Sequence, residues 1–286
     1  MASTELVART ADGVKLRIDH VRAVGTRRGV VVCLHAMMTD GRYFGARRDD
    51  GFAVMLAARG LDVFVADFRG HGRSVPPHAG KNDWSFDDLV ELDLPAIIAA
   101  SAEAAACAPS DLALLGHSLG GLVSCAALGN ARIAAPRVLL LAATSVWLGE
   151  TRGRRALMAV YRGITELAGR APIRALRIGT ADEARTYVEQ LTGWARTGRW
   201  TSLRGVDYAE SLANIATPTH AFASAHDWMC RPRDAEAIAR RIPTCSALRI
   251  IGRAYGDALD PDHFELITRK ELDTVGTVAT YATCAP

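Results

Sequence analysis

The pentapeptide Gly116-His117-Ser118-Leu119-Gly120 sets a hydroxyl between two glycines, directly after the apolar run 112–115 and directly before an Ala/Val/Leu-rich stretch. Where a strand turns sharply into a helix, the central residue is forced into a strained backbone, and flanking glycines remove side chains that would clash. The Ser118 hydroxyl is then expected at the C-terminal edge of a sheet, above a helix N-terminus where developing negative charge is favoured. A serine hydroxyl is a weak nucleophile at neutral pH. It needs an imidazole to take its proton and a carboxylate to orient that imidazole. Of the eight histidines, His263 is the expected base, because it follows the last apolar strand in the polar turn 256–263 and stands just before an apolar helical start at Phe264. His226 is the runner-up. Asp227 is the expected orienting acid, since it ends the segment Ser224-Ala225-His226-Asp227 beyond another apolar strand; Asp257, Asp260 and Asp262 share the short loop of His263 and are poorly placed to hold its ring from behind. A tetrahedral intermediate also needs N–H donors for its oxyanion. The amide of Leu119 is one candidate, and the loop His35-Ala36-Met37-Met38-Thr39 after the first buried strand nominates the amide of Met37.

These groups are useful only if the chain gathers them at one edge. Residues 29–34 (Gly-Val-Val-Val-Cys-Leu) form a continuous β-branched run, the pattern of a parallel strand covered on both faces, and similar runs recur at 61–66, 112–115, 137–142, 218–223 and 246–251. Helical stretches intervene: one at 52–58 closed by Gly60, one opened by the capping-box spacing Ser85-Phe86-Asp87-Asp88, one after the Ser118 motif, and one at 233–241. Strands alternating with helices predict an α/β fold with a doubly wound, mostly parallel sheet. Ahead of it, alternating runs around Ala11-Asp12-Gly13 predict a hairpin. The rhythm breaks from 147 to 205, where helical periodicity such as Leu157, Val160, Tyr161, Ile164 and Leu167 replaces buried-strand runs. The expected organisation is a catalytic domain made of 1–146 and 206–286, with 147–205 inserted as a helical lid.

The order Ser118, Asp227, His263, together with several local motifs, resembles the α/β-hydrolase-fold serine hydrolases over nearly the whole chain. His35-Ala36-Met37 stands where that family has His-Gly-X, the segment from Asp67 to Ser74 is similar to its Asp-X-Arg-Gly-X-Gly-X-Ser loop, and Gly116 to Gly121 to its nucleophile elbow. Trp84-Ser-Phe-Asp-Asp88 with Asp93-Leu-Pro95 resembles the acid lipase branch, and the Trp-Ala-Arg segment within 193–200 resembles bacterial hydrolases of the same fold. Two positions depart: Ala36 replaces the usual Gly, which implies a tighter oxyanion loop, and Asp262-His263 replaces the commoner Gly-His. The resemblance implies hydrolysis of a carboxylic ester through a Ser-His-Asp triad and an acyl-enzyme. A thioesterase or acyltransferase, or a non-catalytic ligand-binding member, are the alternatives. Serine at the elbow disfavours dehalogenase and epoxide hydrolase chemistry, which uses a carboxylate there.

Composition sets the remaining bounds. With 286 residues, 49% hydrophobic and 23% charged, the chain can bury a large core. A formal charge of +3 with interspersed signs gives no footprint of the kind that nucleic acid or anionic membranes select. No apolar run approaches the roughly 18 residues of a membrane span, and no secretory signal is visible, so a cytoplasmic protein without a transmembrane segment is expected. Six scattered cysteines are expected to be mostly buried thiols rather than disulfides. No zinc spacing, GxGxxG or Walker A pattern occurs, so no metal and no cofactor is expected, and the partner is a small-molecule acyl ester. His71 reads as a structural residue, His117 as the variable elbow position and Cys125 as core. The aromatic residues of the insertion (Trp147, Tyr161, Tyr187, Trp194, Trp200), with its Leu, Ile and Val, suggest an apolar acyl pocket under the lid or a lid core of their own; Trp147, Trp194 and Trp228 are the expected substrate contacts.

Overall fold

In the computed structural model, residues 3–74 and 83–283 are described. An eight-stranded sheet runs in the order β1-β2-β4-β3-β5-β6-β9-β10. Its strands are β1 (Thr4–Arg9), β2 (Lys15–Val21), β3 (Gly29–Leu34), β4 (Leu61–Ala66), β5 (Leu112–His117), β6 (Val138–Ala142), β9 (Thr219–Ser224) and β10 (Cys245–Ile251); a separate two-stranded ribbon pairs β7 (Arg170–Ala171) with β8 (Glu183–Ala184). β1 and β2 form the hairpin predicted at Asp12-Gly13 and join the sheet antiparallel, whereas every other pairing within the eight-stranded sheet is parallel. The α/β class with a mostly parallel sheet is therefore as the sequence predicted.

The helices are α1 (Phe52–Ala57), α2 (Phe86–Asp88), α3 (Leu94–Ala104), α4 (Leu119–Gly129), α5 (Arg152–Ala168), α6 (Arg185–Thr197), α7 (Tyr208–Ser211), α8 (Pro232–Ala239), α9 (Glu265–Thr268) and α10 (Thr274–Thr283). Ser85 caps α2 in the capping box its spacing announced. A π-helical turn, Leu89–Asp93, joins α2 to α3; no sequence signal marked it.

The central strands are buried from end to end, and their side chains alternate between two cores, as the period of two requires. On β3, Val30, Val32 and Leu34 enter the core shared with α3 and α4, while Val31 and Cys33 enter the core under α1 and α10. Each such Val or Leu, fully withdrawn from water, contributes about 1.5–3 kcal/mol of transfer free energy, which is why a run of β-branched residues specifies a central strand.

Between β6 and β9 lie α5, the β7–β8 ribbon, α6 and α7. Here the structure differs from one expectation. The buried residues of α5 are Arg154, Met158 and Thr165, whereas Leu157, Val160, Ile164 and Leu167 are exposed. Those four face solvent rather than a core. Aromatic packing in this part of the chain comes instead from α6 and the segment after it, where Trp194, Trp200 and Tyr208 close around Phe86 of α2.

Candidate active site

The parallel register brings the loops after β3, β5, β9 and β10 to one edge. Leu34 pairs with Gly116, His117 with Ala142, Ala142 with Phe222 and Ser224 with Ile251, so residues 35–39, Ser118, Asp227 and the loop leading to His263 all leave the sheet on its C-terminal side.

Ser118 sits between β5 and α4 with φ 52° and ψ −109°, a conformation that costs a non-glycine residue about 1–3 kcal/mol. Its amide donates to Ala142 O at 2.9 Å and its carbonyl accepts from Leu122 N–H at 3.1 Å, so neighbouring structure holds the strain in place. Glycine is required at the flanks because the turn is crowded: a Cβ on Gly116 would lie 2.5 Å from the Gly121 backbone, and one on Gly120 would lie 2.4 Å from Leu34 O. Ser118 is half-exposed.

His263 Nδ1 lies 2.6 Å from Asp227 Oδ2. A carboxylate accepts, so Nδ1 carries a proton toward Asp227. The opposite ring nitrogen, Nε2, is buried and has no hydrogen-bond partner among the described residues. Asp227 is itself buried, and its other oxygen accepts from Met229 N–H at 2.8 Å and Cys230 N–H at 3.0 Å. The hydroxyl of Ser224 donates to Pro261 O and accepts from His226 N–H, which fastens the His263 loop to the strand that carries Asp227. His226, the runner-up base, is largely exposed and faces Asp260 at 3.3 Å. Asp257 pairs with Arg249, and Asp262 caps Phe264 and Glu265, so neither serves His263.

Three consecutive amides in the loop after β3 have different fates. Ala36 N–H donates to Tyr43 Oη at 3.0 Å and Met38 N–H to Glu183 Oε1. Met37 N–H has no acceptor among the described residues, nor has Leu119 N–H at the start of α4. Both candidate oxyanion donors are thus unspent. Ala36, where the resemblance suggested Gly, is buried with its amide held in place.

Two buried networks around these donors were not read from the sequence. Tyr43 Oη, having accepted from Ala36, donates to His117 Nδ1 at 2.8 Å, and His117 Nε2–H donates to the carbonyl of His263 at 3.0 Å. The carbonyl can only accept, which fixes the tautomer. Burial, reinforced by the neighbouring His263, holds His117 well below the ordinary histidine pKa, so this elbow histidine is neutral. It is not a free position but a strut between the loop after β3 and the backbone of His263. On the other side, His71 Nε2 faces Glu183 Oε1 at 3.3 Å, both residues fully enclosed. Burial opposes charge on His71, yet the Glu183 carboxylate and its hydrogen bond outweigh burial and lift the histidine above its usual pKa. His35, beside it at a ring distance of 4.8 Å, is driven down to about 3 by burial and by the charge of His71. His71 is structural, as its sequence context suggested, although its partner lies 112 residues away. Glu183 belongs to β8, so the segment between β6 and β9 reaches into the loop after β3; the carbonyl of Met38 also accepts from Thr180 N–H at 2.8 Å and Ala181 N–H at 3.2 Å.

Of the three tryptophans expected to touch substrate, Trp194 is enclosed by Phe86 and Trp200 with its indole N–H bonded to Thr201 O. Trp147 is half-buried and lies under the Arg154 guanidinium, with its N–H on Met229 O. Trp228 is exposed, 6.0 Å from the Trp147 ring and next in sequence to Asp227. Cys33, Cys125 and Cys230 are buried free thiols, Cys107 and Cys245 are half-buried, and Cys284 lies outside the described residues.

A family model described as serine aminopeptidase, S33, matches residues 25–257. The chain is an S33-family α/β hydrolase. Solved structures of similar fold to this S33 hydrolase include an esterase from Exiguobacterium antarcticum (17% identity, TM-score 0.69, covering 98% of this chain and 100% of that one). A hydrolase from Pseudomonas aeruginosa is another (21% identity, TM-score 0.61, 99% and 100% covered). An esterase from Pyrococcus furiosus is a third (17% identity, TM-score 0.63, 98% and 90% covered). Among curated proteins, a Caenorhabditis elegans lipase, lipl-1, is 36% identical over 76 residues, which span 24% of this chain and 18% of that lipase. None of the described helices of this S33 hydrolase is long and apolar enough to cross a membrane.

Proposed function

We propose that this hydrolase cleaves a carboxylic ester in two steps. Ser118 attacks the ester carbonyl while His263 Nε2 takes its proton; the tetrahedral oxyanion is held by the amides of Met37 and Leu119. The intermediate collapses to an acyl-Ser118, His263 returns the proton to the leaving alkoxide, and the alcohol departs. Water, deprotonated by the same imidazole, then attacks the acyl group and releases the carboxylic acid. Asp227 stays ionised and stabilises the imidazolium. The observation that carries this reading is the His263 imidazole: Nδ1 is tied to a buried carboxylate while Nε2 is buried and unpartnered. A buried polar atom left without a partner costs about 1–3 kcal/mol, and a base awaiting a substrate-side proton accounts for it. Trp147 and Trp228, next to Asp227, form one wall of the acyl site in this reading.

The test is turnover of p-nitrophenyl esters of increasing acyl length, with covalent labelling by a fluorophosphonate. Wild type is expected to hydrolyse the esters and to carry the label on Ser118. Ser118→Ala is expected to lose several decades of turnover and all labelling, and Asp227→Asn about two to four decades. Wild-type turnover in Ser118→Ala would refute the assignment.

A further inference from the structure

The outer face of α5 has no role in the ester chemistry. Toward the protein the helix presents Arg154, Met158 and Thr165, with Arg154 tied to Asp234 at 2.6 Å. Its aliphatic residues form a second stripe at helical spacing that points to solvent. Leu157, Val160, Ile164 and Leu167 are 45%, 60%, 37% and 92% exposed, and Leu176 and Ile178 in the following loop add 50% and 61%. Cβ atoms added at Gly153 or Gly163 of this helix would meet nothing within 4 Å. Half of the large hydrophobic side chains exposed among the described residues fall between 157 and 178. On α5 the four form a stripe along one side of the helix rather than isolated residues, and exposed apolar faces of this kind mark an interaction surface.

Charge says what the surface fits. Arg154 aside, which turns inward to Asp234, residues 152–178 hold six arginines (Arg152, Arg155, Arg162, Arg170, Arg174, Arg177) and one carboxylate, Glu166, a local charge of +5 in a chain whose total is +3. The chain-wide average concealed this cluster. Arg162 pairs with Glu166, while Arg170 and Arg174 share Asp182 at 3.6 and 3.5 Å. Arg152 and Arg177 are exposed and bonded to no carboxylate among the described residues. A second copy of this chain would bring two such basic faces together and be repelled. An anionic lipid surface matches both features at once: aliphatic side chains enter the boundary between headgroups and acyl chains, and guanidinium groups meet phosphates.

We propose that the outer face of α5, with the loop through Ile178, docks the lid on an anionic lipid surface. The helix lies flat on that surface and does not cross it. The docking needs neither Ser118 nor His263, so it stands apart from the proposed ester hydrolysis.

The test is co-sedimentation of the full chain with vesicles of phosphatidylcholine alone and of phosphatidylcholine containing about one third phosphatidylglycerol. Binding is expected on the anionic vesicles and at least tenfold weaker on the neutral ones. It is also expected to weaken at least tenfold when salt is raised from about 0.1 to about 1 M, which shortens the Debye length from about 10 to about 3 Å. The double variants Val160→Asp/Leu167→Asp and Arg152→Glu/Arg177→Glu are each expected to lose at least tenfold in vesicle affinity, with an unchanged circular dichroism spectrum and unchanged turnover of a soluble short-chain ester. Equal partitioning of wild type and both variants would overturn the proposal. So would a wild-type dimer that Val160→Asp/Leu167→Asp dissociates, because a second copy would then be what covers the stripe.

Discussion

Replacing Ser118, the proposed nucleophile, by glycine should make the protein more stable as it makes it inactive. Ser118 is held at φ 52° and ψ −109°, which costs a residue bearing a Cβ about 1–3 kcal/mol. Glycine adopts such angles without that cost, but its freer unfolded chain takes back about 0.5–1 kcal/mol relative to alanine. The net expectation for Ser118→Gly over Ser118→Ala is about 0.5–2 kcal/mol. Alanine is the right reference because it removes the hydroxyl and keeps the strained Cβ, and Ser118 Oγ makes no hydrogen bond among the described residues. An unfolding entropy of about 2.1 cal/mol/K per residue gives about 0.6 kcal/mol/K for 286 residues. The melting temperature of Ser118→Gly should therefore exceed that of Ser118→Ala by about 1–3 °C, read by differential scanning calorimetry on both proteins at one scan rate. If Ser118→Gly melted at or below Ser118→Ala, the elbow would not be strained in the way its dihedral angles require.

Tyr43→Phe leaves the Ala36 amide and His117 Nδ1 unpaired in a buried setting. It is expected to cost about 1–3 kcal/mol in urea unfolding and to lower kcat on a p-nitrophenyl ester more than it raises KM; unchanged values of both would remove the strut its role. Glu183→Ala frees Met38 N–H beside the Met37 donor and is expected to reduce kcat about tenfold, whereas Glu183→Gln, which keeps an oxygen for that amide, should retain most activity; equal loss in the two variants would count against it. The His71–Glu183 pair also sets a pH dependence. Because the folded-state pKa of His71 is raised by Glu183, its contribution to stability is full below the unfolded value of about 6.5 and is lost as pH rises through the folded value. The urea midpoint of wild type is expected to fall on that alkaline side relative to Glu183→Gln, and parallel profiles would refute the pairing.

What could be read from the sequence was what neighbouring residues decide. β3 and β5 announce themselves because a strand covered on both faces must be apolar at every position, and the elbow because its glycines answer local crowding. The pairing of Asp227 with His263 followed from the sheet, which sends the loops after late parallel strands to the same edge. Tyr43 and Glu183 gave no such signal. Their partners His117 and Met38 lie 74 and 145 residues away, and nothing in a tyrosine or glutamate beside them in sequence distinguishes a strut from a surface side chain. Helix α5 failed for another reason. Periodicity establishes that Leu157, Val160, Ile164 and Leu167 share a side, but the direction of that side depends on where Arg154 finds Asp234, in a helix 80 residues on. Trp194 fell to the same ambiguity, since an indole that packs a lid and one that receives a substrate are the same residue until its neighbours are known.

The grip of residues 180–183 on Met38 bears on how this architecture can be re-engineered. Lids are natural units to exchange between hydrolases when a new specificity is wanted, on the premise that catalysis belongs to the body and selection to the cover. Here Met38 gives its amide to Glu183 and its carbonyl accepts from Thr180 and Ala181, so the segment between β6 and β9 supplies part of the scaffold next to Met37, the proposed oxyanion donor. A graft that replaces 147–205 wholesale would strip that support and also leave His71 facing an empty place where its carboxylate stood. Chimeras that keep the stretch from Gly179 to Glu183 and exchange only what surrounds it preserve the joint between the two parts, which makes those five residues the natural boundary for transplantation.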